Sequence, residues 1–425
     1  MLAVCLLFAP LVDAVPTATC NVTVEWQVPQ DPQPLPAPAG ETAKPNAGTG
    51  VESEMGGNPE PVPTDRYLLE RLLAETPIGP VLGDAGIRIY GWTQGSYTAS
   101  STDRSNAPTV FNDRADEVVF GQNWTEIVRP IDPSRAELQL GGRVALILPG
   151  YDYKYTLARG MWNDQERRHG FDTVYAYAEL FVPGVGPRGT TFRAGRWGTT
   201  IGYEMIEAVA TPFVTRSYNF AANPYTHTGV QATTELSATV VMYHGIVTGA
   251  DVFLDPAATF SYVGGVKWTA EDGSRSAAVN VFLTGEGFDA RESFQHYNSY
   301  NLLLTQTVAE GWTYVLDATL GRAPDTDPAG TVGGGSASWY GLANYLSHQV
   351  REQLTLNLRG EFFHDDDGLR TGTAGDFVGL SAGLQWESTP WLWLRPFARF
   401  DHCGKGPFEG DEDLWSGGLE VIARW

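Results

Sequence analysis

The 425-residue chain has few cysteines, few basic residues and no long apolar stretch. Three cysteines are too few for a disulfide-stabilised scaffold. With 28 Lys and Arg against 50 Asp and Glu, the formal net charge is -22, which repels phosphate backbones and excludes nucleic acid as a partner. The longest apolar run, Met1 to Val15, is shorter than the roughly 20 residues that a membrane-spanning helix needs. These shortages exclude a disulfide scaffold, a nucleic-acid-binding protein and a helical membrane protein.

Aromatic residues are abundant for a chain with so little charge. They make up 12% of the sequence, against 18% for charged residues, which is unusual for an acidic soluble protein. Such a chain either buries its aromatic side chains in a large all-β core or places them at a membrane interface.

The first 63 residues are predicted to lie outside any folded domain. Residues 1–14 have an apolar core followed by Val12-Asp13-Ala14, which predicts a signal peptide; a positive n-region is missing, as in a truncated start. Residues 15–63 are rich in Pro, Gly, Ala and Glu, which predicts a disordered linker. In residues 64–85 we expect a short helix and a lead-in, with Asp65 as the N-cap and four leucines at helical spacing.

From Gly86 to Trp425, apolar and polar side chains alternate over segments of about ten residues that are separated by turn residues. Leu356 and Leu358, for example, fall on one face of a segment and Arg359 on the other. The predicted strands span residues 86–100, 116–129, 137–149, 171–183, 190–202, 225–235, 238–249, 257–269, 274–284, 294–307, 312–322, 337–349, 353–364, 375–386, 390–401 and 413–425.

The links between these strands alternate between long and short. A soluble β-sandwich shows the same alternation of side chains, but a Greek-key sandwich has no reason to alternate long and short links. In an up-and-down outer-membrane barrel every hairpin turns at one of two opposite ends, with long extracellular loops and tight periplasmic turns. The even count, about sixteen, is the parity that closure of an antiparallel barrel needs. The sequence therefore predicts an all-β fold: a transmembrane up-and-down antiparallel β-barrel over residues 86–425.

The chain ends within a strand at Trp425, and this terminal aromatic resembles the signal that the outer-membrane assembly machinery recognises. Other aromatic residues stand near predicted strand ends, which favours girdles at the two membrane interfaces. The tryptophans assigned to these girdles are Trp92, Trp124, Trp197, Trp312, Trp391 and Trp415.

Several stretches make the chain resemble the putative β-barrel porin type 2 (OmpL-like) family of outer-membrane proteins. They include Tyr90 to Gly95 (YGWTQG), Ala194 to Trp197 (AGRW), Asn223 to Val230 (NPYTHTGV), His364 to Gly372 (HDDDGLRTG) and Trp393 to Pro396 (WLRP). The resemblance covers about residues 86–425 and implies a barrel in the bacterial outer membrane that conducts small solutes. It does not carry over a substrate class.

A water-filled pore needs polar side chains that point into the lumen. Six charged side chains take this orientation by their place in the alternation: Arg143, Glu179, Arg359, Glu361, Arg395 and Arg399. They form either a charged pore lining or an ion-pair ladder that braces the barrel. The loop 150–170 carries charges of both signs, and it either folds inward as a constriction or stays a solvated outer loop. Its candidate residues are Asp152, Arg159, Arg167 and Arg168.

The predicted function is passive diffusion of small hydrophilic solutes or ions across the outer membrane, with membrane lipids and solutes as partners and a homotrimer as one option. No cofactor and no metal are expected, because the acidic run 364–368 lacks the ligand spacing of a calcium loop and the seven histidines form no metal-spaced pair. Three alternatives remain open: a barrel with a structural or adhesive surface role, a hydrolase site at the rim, and a secreted carbohydrate-binding β-domain.

Overall fold

The computed structural model describes residues 67–162, 167–254, 260–284, 297–324 and 335–425. The predicted signal peptide (residues 1–14), the linker (15–63) and the predicted N-cap Asp65 lie outside the described residues.

Sixteen antiparallel strands form one closed barrel, in which each strand pairs with its neighbours in sequence and β1 pairs with β16. The strands are β1 (Arg88–Ser100), β2 (Glu117–Arg129), β3 (Gln139–Gly150), β4 (Gly170–Val182), β5 (Thr190–Gly198), β6 (Thr226–Glu235), β7 (Val240–Val247), β8 (Ser261–Thr269), β9 (Arg275–Thr284), β10 (Asn298–Ala309), β11 (Trp312–Ala323), β12 (Ala337–Arg351), β13 (Leu354–Asp365), β14 (Gly375–Thr389), β15 (Leu392–His402) and β16 (Asp413–Arg424). β1 begins and β16 ends at the same end of the barrel, which is the periplasmic end in an outer-membrane barrel of this topology.

The alternation in the sequence sets the two faces of the barrel wall. On β13, Leu358 points outward and is 38% exposed, whereas its neighbour Arg359 points inward and is 2% exposed. The outward faces carry large apolar side chains such as Leu342 and Leu380, as a lipid-facing surface requires.

The tryptophans divide between these two faces in a way that corrects the girdle prediction. Trp391 and Trp415 are exposed on the outer surface, as a girdle requires. Trp92, Trp124 and Trp197, in contrast, are buried inside the barrel, and Trp92 stacks on Trp124 with ring centroids 5.2 Å apart. These three were misassigned because closeness to a strand end does not say which face of the strand a residue occupies.

The structure differs most from the predicted strand bounds where the chain leaves the wall. β5 ends at Gly198 rather than at residue 202, and the chain then turns into the lumen. Gly202, with φ of 93°, takes a backbone conformation that a side chain disfavours at this turn. Residues 199–225, here called the inner segment, are almost entirely buried, and they contain a 3₁₀ turn (Ala208–Ala210).

Four short helices complete the described chain: α1 (Leu68–Ala74), α2 (Ile78–Ala85), α3 (Tyr153–Thr156) and α4 (Tyr218–Ala222). The residue at the N-cap of α1 is Tyr67, and α4 lies within the inner segment, capped by Ser217, whose Oγ accepts a hydrogen bond from Phe220 N. None of the helices in the described ranges has the length and apolarity to cross a membrane.

Candidate functional site

The inner segment is held against one wall of the lumen by arginines of β13 and β15. Arg359 donates from Nη1 to Glu204 Oε1 (2.7 Å) and to the carbonyl of Thr215 (2.9 Å), and from Nη2 to Ser381 Oγ (3.0 Å). Neither Arg359 nor Glu204 has any side-chain exposure. Because both charges are withdrawn from water, moving the inner segment away from Arg359 would leave each charge buried and unpaired, which is costly.

Two arginines of β15 bind backbone carbonyls of the same segment. Arg395 donates to the carbonyls of Thr211 (2.5 Å) and Ala208 (2.8 Å), and its Nε donates to Glu420 (2.6 Å). Arg399 donates to the carbonyl of Arg216 at 2.6 Å. The guanidinium groups thus supply the donors that an irregular segment needs when its carbonyls are removed from solvent.

The two acidic residues predicted to line the pore have different surroundings. Glu361 of β13 accepts a hydrogen bond from Tyr218 N (2.7 Å) at the start of α4, so it also holds the inner segment. Glu179 of β4 pairs with Arg193 of β5 at 2.8 Å and stays within the wall.

A further contact joins the inner segment to β3. Arg143 Nη2 lies 2.9 Å from Glu207 Oε1, and its Nε donates to Glu126 Oε2 on β2 at 2.7 Å. All six side chains predicted to line the lumen point inward. Five of them contact the inner segment: Arg143, Arg359, Glu361, Arg395 and Arg399. The sequence offered two interpretations, a pore lining and a bracing ladder, and the geometry adds a third in which wall charges position the inner segment.

The neighbouring part of the wall, at β10 and β11, holds the inner segment through amides and a buried carboxyl group. Asp317 of β11 accepts from Tyr203 N (3.0 Å) and from Asn301 Nδ2 (2.6 Å). Asn219 donates to the carbonyl of Asp317 at 2.9 Å, and Asn223 donates to Thr319 at 3.2 Å. The inner segment is therefore held by ion-paired arginines at β13 and β15 and by a carboxyl group and amides at β10 and β11.

Gln122 of β2 connects the inner segment to the loop after β3. Its Nε2 donates to Asp152 (2.9 Å) and to the carbonyl of Ile206 (2.8 Å), while its Oε1 accepts from Trp92 and Ala208. Burial raises the pKa of the Asp152 carboxyl to about 7, against the opposing field of Arg216. Asp152 is therefore a buried acid that loses its proton near neutral pH.

The other residues of the predicted constriction loop lie elsewhere. Arg167 and Arg168 are exposed, and Arg168 pairs with Glu117 at 2.5 Å. Arg159 is half-buried, and its backbone bridges to Val252. Of the four, Asp152 is linked to the inner segment through Gln122. The segment that crosses the lumen follows β5, two strands later than the sequence suggested.

Two of the stretches quoted from the sequence, HDDDGLRTG and NPYTHTGV, lie at the outer end of the barrel. Asp365 accepts hydrogen bonds from the backbone N–H groups of Leu369, Arg370 and Thr371 (2.8 to 3.1 Å), which folds the HDDDGLRTG stretch into a compact loop. Arg370 then lies over the rings of Tyr297 (3.9 Å) and Trp339 (4.2 Å) inside the barrel. The acidic run is therefore a loop-forming motif.

The NPYTHTGV stretch depends on an acidic residue that the sequence reasoning missed. Asp251 accepts from Tyr225 N (3.2 Å) and Thr226 N (2.7 Å), and burial raises its pKa to about 6. The sequence reasoning also missed four other acidic residues: Glu126, Glu204, Glu207 and Asp317. Within the part of the chain that the structure describes, no group of three or more His, Cys, Asp or Glu side chains is placed to hold a metal ion.

Comparison with known proteins places this arrangement among outer-membrane barrels. The family model described as putative β-barrel porin-2, OmpL-like, matches residues 86–422. No curated protein matches the sequence.

Three solved structures illustrate the similarity of fold. An anion-selective porin from Comamonas acidovorans aligns with a TM-score of 0.53 and 10% identity, covering 80% of this chain and 99% of that chain. OmpT of Vibrio cholerae, in its trimer form, aligns with a TM-score of 0.52 and 10% identity, covering 80% of this chain and 99% of that chain. OprB of Pseudomonas putida aligns with a TM-score of 0.51 and 10% identity, covering 82% of this chain and 96% of that chain. At such low identity these structures show a shared fold and nothing finer.

Proposed function

The chain belongs to the putative β-barrel porin-2, OmpL-like family, and from that premise we propose that it lets small hydrophilic solutes or ions cross the bacterial outer membrane by passive diffusion through the lumen. A sixteen-strand barrel encloses enough space for an aqueous path. The observation that carries the proposal is the closed barrel whose inward faces are polar and charged while its outward faces are apolar.

The inner segment is the proposed constriction of this path. It crosses the lumen and is fixed at strands that lie half the barrel apart, by Arg143 of β3 on one side and by Asp317 of β11 on the other. Between these two strands it is held by Arg359, Arg395 and Arg399. Because most wall charges are engaged by the segment or by each other, we propose that they set the position and width of the opening. The same proposal predicts that Arg395 or Arg399 also biases ion selectivity.

The proposal includes no reaction step and no cofactor. The rim carries His364 hydrogen-bonded to Asp366 (2.6 Å) and Asp376 (2.5 Å), the pairing that a hydrolase site would use to orient a base. A hydrolase also needs a nucleophile in line with that base. We therefore keep the rim hydrolase and the surface-adhesion role as alternatives that the permeation experiment below separates from the porin.

The proposal also covers targeting and assembly. We propose residues 1–14 as the signal peptide and 15–63 as a periplasmic linker, and we propose that the assembly machinery recognises the Trp425 strand. A trimer is the proposed oligomer, since the structure named OmpT of Vibrio cholerae is a trimer form of the same fold. Chemical cross-linking in native membranes tests it by the mass of the cross-linked product.

Liposome swelling tests the function directly. Proteoliposomes that carry the full barrel are diluted into isotonic solutions of neutral sugars of increasing size. A porin gives swelling rates that fall with solute size, because a constriction sieves solutes by diameter. Liposomes that swell no faster than empty ones refute the porin and favour a surface role.

A further inference from the structure

The first described residue, Tyr67, lies inside the barrel rather than outside it. Its side chain is 4% exposed, and its ring centroid lies 4.5 Å from that of Tyr90, an inward-facing residue near the start of β1. The guanidinium of Arg424, at the end of β16, lies 5.9 Å from the same ring. Tyr67 therefore sits in the periplasmic mouth, across the seam where the first and last strands close the barrel.

The helix that follows is tied to the same edge of the mouth. Glu70 of α1 accepts from Arg88 Nε at 2.7 Å and from Arg88 Nη2 at 3.1 Å. The side chains are only 17% exposed for Arg88 and 8% for Glu70, so this two-point pair is shielded from solvent. The ring of Tyr67 and the carboxylate of Glu70 thus hold α1 to β1 by two independent contacts.

A continuous set of contacts leads from this anchor to the inner segment. Tyr90 donates to Glu126 Oε2 at 3.3 Å, and Glu126 accepts from Arg143, which pairs in turn with Glu207 of the inner segment. Burial raises the pKa of Tyr67 to about 12, in keeping with a ring inserted among packed groups. The anchor and the constriction therefore share one packed and hydrogen-bonded wall.

We propose that the N-terminal segment is a built-in restrictor of the pore: Tyr67 and α1 occupy one edge of the periplasmic mouth and narrow the exit of the path that the inner segment constricts. The inference rests on the proposed function, because a restrictor requires a conducting lumen. It assigns to Tyr67, Glu70 and Arg88 the role of holding the restrictor in place.

Single-channel recording in planar bilayers tests the proposal with Tyr67→Ala and with a chain that lacks residues 15–85. Both are expected to conduct more than the natural chain, since each removes material from the mouth. Three variants serve as controls. Tyr67→Phe keeps the ring, Tyr97→Ala removes a 45%-exposed tyrosine from the lipid face of β1, and deletion of residues 15–66 retains Tyr67 and α1. These three should conduct as the natural chain does.

Heat-modifiable migration on gels first confirms that each variant forms a closed barrel. Equal conductance of the natural chain, Tyr67→Ala and the 15–85 deletion overturns the restrictor while leaving the porin intact. An increase in the 15–66 deletion that equals the increase in the 15–85 deletion also overturns it, because the linker alone would then restrict the pore. The absence of current from every folded variant refutes the proposed function, and the restrictor with it.

Discussion

Replacement of Arg359 by methionine should release the inner segment from the β13 wall. The change removes the guanidinium that lies 2.7 Å from Glu204 and 3.2 Å from Glu361, and it leaves both carboxylates in a site without solvent. Glu204 then keeps one donor, the backbone N–H of Ser217 at 2.6 Å. Breaking one side of such a buried pair costs about 3 to 5 kcal/mol.

That cost falls on the position of the inner segment rather than on the barrel, whose strands are joined by their own ladders of hydrogen bonds. A change of about 3 kcal/mol shifts the ratio of attached to detached segment by roughly a hundredfold. We therefore expect Arg359→Met channels to show frequent transitions between conductance levels in planar bilayers, while the natural chain holds one level.

Two variants make this experiment decisive. Arg351→Met removes an exposed arginine at the periplasmic end of β12 and should behave as the natural chain does. Glu204→Gln added to Arg359→Met removes one stranded charge and should restore part of the steady current. If Arg359→Met gives the same current trace as Arg351→Met, the inner segment does not depend on this clamp and the reasoning fails.

Three other variants test separate parts of the site. Asp152→Asn should flatten the pH dependence of stability. The pKa of Asp152 is raised to about 7 in the folded state, so the native state binds more protons than the unfolded chain between about pH 4 and 7. The natural chain therefore loses stability as pH rises through that window. The midpoint of the heat-induced gel shift should thus fall less between pH 5 and 8 in this variant than in the natural chain, and equal falls would contradict the assignment. Asp365→Asn should expose the loop 366–374 to protease without opening the barrel, because it replaces one of the two oxygens that accept from three backbone N–H groups by an NH2 donor. Hydrogen bonds to a charged group are worth about 1.5 to 3 kcal/mol each. A loop that stays resistant would show that Asp365 is dispensable. Gly321→Ala places a Cβ 2.1 Å from the Trp339 ring and should lower the heat-shift midpoint through overpacking worth about 1 to 3 kcal/mol, whereas an unchanged midpoint would mean that the ring moves freely.

The barrel itself could be predicted because the pattern that specifies its strands is local in the sequence. Period-two alternation follows directly from side chains that point to opposite faces of a strand, and the even number of strands follows from closure. The same alternation put Arg143, Glu179, Arg359, Glu361, Arg395 and Arg399 on the inward face, where the structure places them.

The inner segment could not be read in the same way because its partners are distant in sequence. Arg395 binds the carbonyls of Thr211 and Ala208, more than 180 residues away, and nothing periodic marks such contacts. One signal was present in the composition: Ile206, Phe213 and Phe220 make residues 199–225 too apolar for a solvated outer loop. That signal separates this loop from the loop 150–170, whose balanced charges drew attention instead.

The measurement that bears most directly on the central claim is the single-channel conductance of the natural chain beside a variant in which residues 204–216 are replaced by a short Gly-Ser linker. If the barrel is a porin constricted by its inner segment, both chains open discrete channels and the variant conducts more, because the narrowest part of the path has been removed. Channels of equal conductance, or no channels from either folded chain, would contradict the account.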